Sequence, residues 1–360
     1  MLDRPSLAAA ETAIRFETIQ SLSHRESLEP ILGPISAIDS ESLGTVGFSG
    51  SSHRRLRVEL RSGGRRSLIL KHVYLDRDWS ARRTGDTLGR EAALLGEPRL
   101  RGIWEAFRRP YLAYAMQDGE IGLLMGDLSP NLLPDVDTPI TPDEENRLLA
   151  ALAAMHARYW DARVPALPWL ASPAQLLRIL GPQAGAEEMS GENPHPMFEL
   201  VVRGWTLALD SLPASLVELV KRPPELLARE CEGLPNTIIH GDAKVANFAL
   251  FADETVAAFD WALIGAAPCT FDLGWYLAVN SGRLARPKEE VVERYHTLLL
   301  EGLGEALRDE LWERLMRVGI LHGALMLLWM KALAAESGEQ REIAEWDWWA
   351  DQLERVVSSR

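Results

Sequence analysis

Residues 237–248 read TIIHGDAKVANF, a β-branched run from Thr237 to Ile239 that breaks off into His240-Gly241-Asp242, with Lys244 and Asn247 close behind. Such a run suits a buried strand, yet it delivers five polar or flexible residues within the next eight positions. Taken singly, an Asp or Asn after a strand is a cap or turn residue; the decisive feature is the spacing of the segment beyond Asn247. FALF, a polar turn at 252–254 and TVAAFDW make a hairpin pattern. Pairing its strands is expected to bring Asn247, at its start, beside Asp260, at its end.

An amide oxygen and a carboxylate at one point are hard ligands that suit Mg²⁺, with water and phosphate oxygens completing the shell. Asp242, on the loop before the hairpin, is placed to take a proton from a hydroxyl aimed at the same centre. An Asp, an Asn five residues on and an Asp across a hairpin follow the logic of a kinase catalytic loop and metal site.

Composition narrows the field. At 360 residues, 47% hydrophobic and 25% charged, the chain is expected to hold about two domains with a sizeable core. A net charge of -14 argues against a nucleic-acid-binding surface, which would need a basic face. Cys231 and Cys269 form no CxxC or Cys/His cluster, so neither a disulfide framework nor a zinc site is indicated, and a reducing cytoplasm fits. The first twenty residues lack the apolar run of a secretory signal. GILHGALMLLWMKALAA at 319–335, broken by His322 and Lys331, reads as a buried C-terminal helix and not a membrane span.

Residues 11–23 have the pattern of an amphipathic lead-in helix. LGTVGFSGSSHRRLRVELRSGGRRSLILKHVYL alternates in the β manner around Gly63-Gly64, giving two or three antiparallel strands. GREAALL begins a helix at Gly89, and GLLMGDL at 122–128 is a strand running into a connector. Beyond Pro130 helices take over. Thr141-Pro142-Asp143-Glu144 is an N-cap with Pro at the first helical position; 164–196 reads as loops with one short helix, and further helical segments are expected at 197–220, 285–318 and 319–357. The expected fold class is α+β, with a smaller sheet-rich lobe (1–126), a larger helical lobe (127–360) and a ligand cleft between them.

HGDAKVAN followed by AAFDWALIGAAPCTFDLGWYL resembles the aminoglycoside phosphotransferase and choline kinase group of small-molecule kinases. That group shows HGD, four residues, Asn, then a DW or DF pair, then a D-L pair about a dozen residues on, here Asp272-Leu273. The resemblance runs from about Gly44 to Leu277 and implies a bilobal protein-kinase-like fold. It implies a strand lysine for the α/β-phosphates of ATP or GTP, met by Lys71 in SLILKHV, and a helix glutamate to hold it, met by Glu91. Only five of the 38 basic residues are lysines, so Lys71 and Lys244 stand out as compact charges for phosphate, a task in which arginine is no equivalent.

By the same resemblance Lys244 neutralises the transferred group, Met125, Gly126 and Leu128 form the connector that meets the base, and Asp272 anchors the catalytic loop. In LGTVGFSGSS, Gly44, Gly47 and Gly50 recur every third position, with the Gly50 backbone and a hydroxyl of Ser49, Ser51 or Ser52 the candidates for phosphate contact and a plain hairpin turn the alternative. His156, in AAMHARYW, reads as a core histidine. Asp242 and Lys244 are therefore the expected catalytic residues and Asn247 and Asp260 the expected Mg²⁺ ligands. Lys71, Glu91, Ser49, Gly50, Met125, Gly126 and Leu128 are expected at the nucleotide, and the acceptor is a small molecule bearing a hydroxyl. Glu342, Glu345, Asp347 and Asp351 either attract a cationic aminoglycoside or form a solvated helix face. The competing expectation is a kinase-shaped module that binds nucleotide or ligand without turnover.

Overall fold

Alternation along Arg65–Tyr74 puts Leu68 and Leu70 on one face of a strand and Ile69 and Lys71 on the other. In the computed structural model, which describes residues 12–45, 50–134, 138–192 and 194–358, the chain forms two compact units. One comprises Met1–Leu132 with Ala249–Ala262, the other Leu133–Phe248 with Leu263–Arg360.

The first unit contains β1 (Ile14–Phe16), α1 (Arg25–Leu32), β2 (Ile35–Thr45), β3 (Ser52–Leu60), β4 (Arg65–Tyr74), α2 (Trp79–Thr84), α3 (Arg90–Gly96), α4 (Ile103–Ala106), β5 (Tyr111–Gln117) and β6 (Glu120–Gly126). Its six strands make one sheet in the order β1-β5-β6-β4-β3-β2. All neighbours are antiparallel except β1 and β5, which run parallel. The β3–β4 turn needs Gly63, whose φ of +88° is open to glycine at little cost. One face buries Leu56, Val58, Leu68 and Leu70 against Ile19, Leu22 and Leu28, each such aliphatic contributing about 1.5–3 kcal/mol. The other face carries Lys71, with His53 opposite it on β3 and Leu123 opposite it on β6.

The lead-in helix expected at 11–23 is not formed. Among the described residues, Ile14-Arg15-Phe16 pair with Ala113–Ala115 on β5 and a 3₁₀ turn follows at Gln20–Ser23. A partner nearly a hundred residues away overrides the local helical pattern.

The second unit is mainly helical: α5 (Pro142–Arg158), α6 (Pro173–Leu177), α7 (Ala184–Met189), α8 (Met197–Ser211), α9 (Ala214–Val220) and α10 (Pro224–Leu227) lead to β7 (Thr237–Ile239). Next in the chain, the strands β8 (Phe248–Leu250) and β9 (Val256–Ala258), which from Ala249 onward count with the first unit, pair with each other as a hairpin. They are followed by β10 (Gly265–Ala267), antiparallel to β7, and by α11 (Thr270–Val279), α12 (Lys288–Leu303), α13 (Asp309–Ala335) and α14 (Gln340–Ser358). The class is α+β, as expected. At α5 the expected cap closes as a full capping box, Thr141 and Glu144 each bonding the other's backbone N–H.

Further helical expectations are corrected: 197–220 is broken between α8 and α9, and 285–318 between α12 and α13. Residues 164–196 hold two short helices, α6 and α7, where one was expected. No boundary falls at 319 either, because α13 runs unbroken through it. Gly319 is tolerated inside the helix because α11 crosses there: a Cβ on Gly319 would lie 2.5 Å from the Thr270 carbonyl oxygen, and one on Gly274 would lie 1.9 Å from that of Gly319. α13 is long and apolar enough to cross a membrane, but 78% of its most apolar window is buried within the protein, as in a core helix.

Candidate active site

In the first unit, the Lys71 ammonium donates to Glu91 Oε2 and to Asp260 Oδ1, each at 2.7 Å. Lys71 is 7% exposed and Glu91 1%. Burial alone would push the ammonium toward its neutral form, but the Asp260 and Glu91 carboxylates outweigh it and hold its pKa well above the usual lysine range.

Glu91 lies in the first turn of α3, whose start is fixed by Asp86: its carboxylate accepts the Leu88, Gly89 and Arg90 N–H groups. The other Glu91 oxygen accepts the Tyr111 hydroxyl at 2.5 Å and the Asp260 N–H at 3.0 Å. Burial first, and the Glu91 charge second, raise the Tyr111 pKa well above that of a free phenol.

Asp260 has φ of +65°, a left-handed conformation that costs a non-glycine residue of order 1–3 kcal/mol and persists only where its surroundings dictate it. Here they do. Its N–H is bonded to Glu91 and to the Tyr111 oxygen at 3.2 Å, and the adjoining Trp261 is fully buried, edge-on to Trp104 and Phe107. The aromatic half of the DW pair thus pins the backbone that aims the carboxylate.

The remaining nucleotide candidates also fall in the first unit, apart from Ser49, which lies outside the described residues. Gly50 is exposed with φ of +79°. Met125 is buried on β6, the Gly126 N–H donates to the Pro110 carbonyl, and Leu128 is half-buried at the head of a 3₁₀ turn. Between them Asp127 accepts from Arg55 Nε (3.1 Å), Ser67 Oγ (2.6 Å) and Ser129 N and Oγ, so the connector is tied to β3 and β4.

In the second unit, Gly241 turns the chain out of β7 with φ of +81°, where a Cβ would strike the Leu263 carbonyl oxygen at 2.2 Å. No other residue fits there. Asp242 follows, with both oxygens held: Oδ1 accepts the Trp275 indole N–H at 2.8 Å, and Oδ2 accepts the Asn247 amide at 2.9 Å and lies 3.2 Å from the Lys244 ammonium. The Asn247 amide nitrogen also donates to the Asp242 carbonyl, which leaves the amide oxygen as the atom for a cation.

The loop hangs on α11. Fully buried Asp272 accepts the backbone N–H groups of His240 (2.7 Å) and Gly241 (2.8 Å) and the His156 ring at 3.1 Å. Burial opposes its charge, but the His156 bond and these donors hold its pKa below the usual carboxylate value. His156 is a core residue that also reaches the Tyr295 hydroxyl at 2.6 Å. Asn280, capping the far end of α11, accepts the Val245 N–H and donates to the Ala243 carbonyl.

The structure thus brings Lys71, Glu91 and Asp260 into one cluster and Asp242, Lys244 and Asn247 into another. Tyr111, Trp275 and Asn280 are participants that sequence reading missed. Trp275 follows Asp272 at a three-residue step, a helical-face spacing that could have flagged it; Asn280 caps the helix and carries no such signal. The acidic C-terminal residues divide: Glu345 is spent internally on Lys331 and Lys288, while Asp347 and Asp351 are exposed.

Residues 48–316 match the sequence model of the phosphotransferase enzyme family. A search of curated proteins gives no significant match. Similar solved structures include an aminoglycoside-3'-phosphotransferase of type VIII (20% identity, 82% of this chain and 98% of that one, TM-score 0.42). A choline kinase from Streptococcus pneumoniae is also similar (11% identity, 92% and 97%, TM-score 0.45). So is a spectinomycin phosphotransferase solved with ADP and spectinomycin (12% identity, 92% of each chain, TM-score 0.48).

Proposed function

Because the chain belongs to the phosphotransferase enzyme family, we propose that it moves the γ-phosphoryl of ATP, or of GTP, to a hydroxyl of a small molecule, in the cytoplasm and with Mg²⁺. The observation that carries this reading is the trio of buried Lys71 and Glu91 with half-buried Asp260. A glutamate and a half-open carboxylate sharing one lysine make a charged anchor for polyphosphate, where an ordinary core would be apolar.

Lys71, aimed by Glu91, grips the α/β-phosphates. The backbone of Met125, Gly126 and Leu128 meets the base, and the backbone at Gly50, with Ser49, covers the phosphates. Asp242, its carboxylate oriented by Trp275 and Asn247, takes the proton of the acceptor hydroxyl as the new O–P bond forms and the bond to the leaving diphosphate breaks. Lys244 faces the transferred group and offsets its charge. The donor set fits Mg²⁺: Asp260, with its side chain 33% exposed, and the Asn247 amide oxygen are hard oxygen ligands. Bound there, the ion would neutralise phosphate charge. Catalysis on this reading is positioning and charge, with little covalent work for the protein.

Steady-state nucleotide turnover with a panel of hydroxylated acceptors tests it, comparing wild type with Asp242→Asn and Asp260→Ala. Each variant should lose about 10²-fold or more in kcat, by analogy with removal of one charge-stabilising group. Full activity in either variant removes its assigned role. Mg²⁺-dependent nucleotide binding with no turnover on any acceptor would favour a binding module instead.

A further inference from the structure

His53 belongs to the same face as Lys71 and takes no part in the catalytic scheme. In the β3–β4 ladder it is directly opposite Lys71, which sets the two Cβ atoms about 4.5–5.5 Å apart on one side of the sheet. On its other flank, in the β2–β3 ladder, stands Gly44, with φ of +73° and open space where a Cβ would be. Gly44 itself therefore offers no side chain to cover or bond the ring.

The ring is half-buried, and its Nδ1 is buried with no hydrogen-bond partner among the described residues. Burial first and the Lys71 ammonium second push the His53 pKa below the usual histidine value, while Asp260 and Glu91 act the other way. The neutral ring has one N–H and one lone pair. An orphaned N–H in an interior is rarer than an orphaned acceptor, and the nearby ammonium repels a proton. The hydrogen is accordingly assigned to Nε2, the nitrogen left to meet a ligand.

We propose that His53 is a nucleotide-binding residue whose Nε2–H donates a hydrogen bond to the polyphosphate held by Lys71. This rests on the reading that the protein binds a nucleoside triphosphate. A neutral donor beside a charged one adds grip on phosphate oxygens without adding to the repulsion around Lys71.

Calorimetric titration with ATP, ADP and adenosine, each with Mg²⁺, tests it on wild type, His53→Ala and His53→Phe, which lack the donor, and His53→Gln, which keeps one. The donor-free variants should bind ATP and ADP about tenfold more weakly, the scale of a hydrogen bond to a charged group, with adenosine affinity unchanged. Gln should recover most of the loss, and each variant's thermal midpoint separates misfolding from lost contact. If Ala and Phe bind ADP as wild type does, or lose adenosine affinity in proportion, the inference about His53 fails and nucleotide binding stands. Wild type binding none of the three ligands would overturn both.

Discussion

Glu91 is the residue on which most of the first cluster converges. It accepts from Lys71, Tyr111 and the Asp260 backbone at once, so its carboxylate sets the lysine's position and underwrites the left-handed bend at Asp260. Glu91→Gln keeps the volume but replaces an acceptor with an amide group that meets donors on every side. Taking one partner from a buried charged pair costs about 3–5 kcal/mol; the Asp260 carboxylate still faces Lys71, so a loss at the lower end, about 3 kcal/mol, is expected in urea unfolding at pH 7. kcat/KM should fall about 10²-fold, and an unchanged value would confine Glu91 to folding.

At this scale the sequence was legible wherever chemistry is written into spacing. Asp242, Lys244 and Asn247 fall within one loop, and Lys71 stands out as a lysine in an apolar run. Tyr111 and His53 were not legible. Their significance comes from what the sheet sets beside them, Glu91 for one and Lys71 for the other, and no local pattern marks either.

Among the elements, α11 couples packing to chemistry. One end binds the His240 and Gly241 amides through Asp272, its middle holds Asp242 through Trp275, and its cap holds Ala243 and Val245 through Asn280. Its other side lies on α13 through glycine, backbone against backbone. Gly274→Ala should reveal this by its sign. In an open helix the change would gain about 1 kcal/mol from propensity, but the new methyl would overlap the Gly319 carbonyl, and overpacking of this kind costs about 1–3 kcal/mol or more. A lowered thermal midpoint with a fall in kcat is expected; a raised midpoint would show that the crossing has slack. The same contact explains why Gly319 gave no helix boundary. The Thr141 capping box, by contrast, lies within four residues and was readable directly.

For the whole molecule, acid should be the weak direction. His322 on α13 is fully buried, stacked on Phe271, with Nδ1 bonded to the Phe271 carbonyl and Nε2 without a partner among the described residues. Burial lowers its pKa to about 4, and the neighbouring Asp272 charge only partly opposes this. The unfolded chain then binds a proton near pH 6.5 that the native chain refuses until about 4. The contribution of His322 is intact above pH 6.5 and declines as pH falls toward 4, by about 3 kcal/mol at most. Asp272, with a lowered pKa, adds a loss below the ordinary carboxylate range. Unfolding free energy measured from pH 7 to 4 should fall accordingly, and His322→Phe should flatten the slope between 6.5 and 4. A wild-type profile already flat there would contradict the buried neutral ring. At this scale the membership of Ala249–Ala262 in the first unit was also hidden from sequence, because it depends on distant pairing such as Arg108 N–H to the Val256 carbonyl.

The economy in lysine has a further consequence. Lys71 and Lys331 are buried, and Lys288 is paired with Glu345 beneath the Trp348 ring, leaving Lys221 and Lys244 as the more open of the five side-chain amines. The surface carries its positive charge on guanidinium instead. To acetyl donors, cross-linkers or any other reagent that seeks a primary amine, the folded chain is therefore close to blank, and one of its two side-chain openings adjoins Asp242.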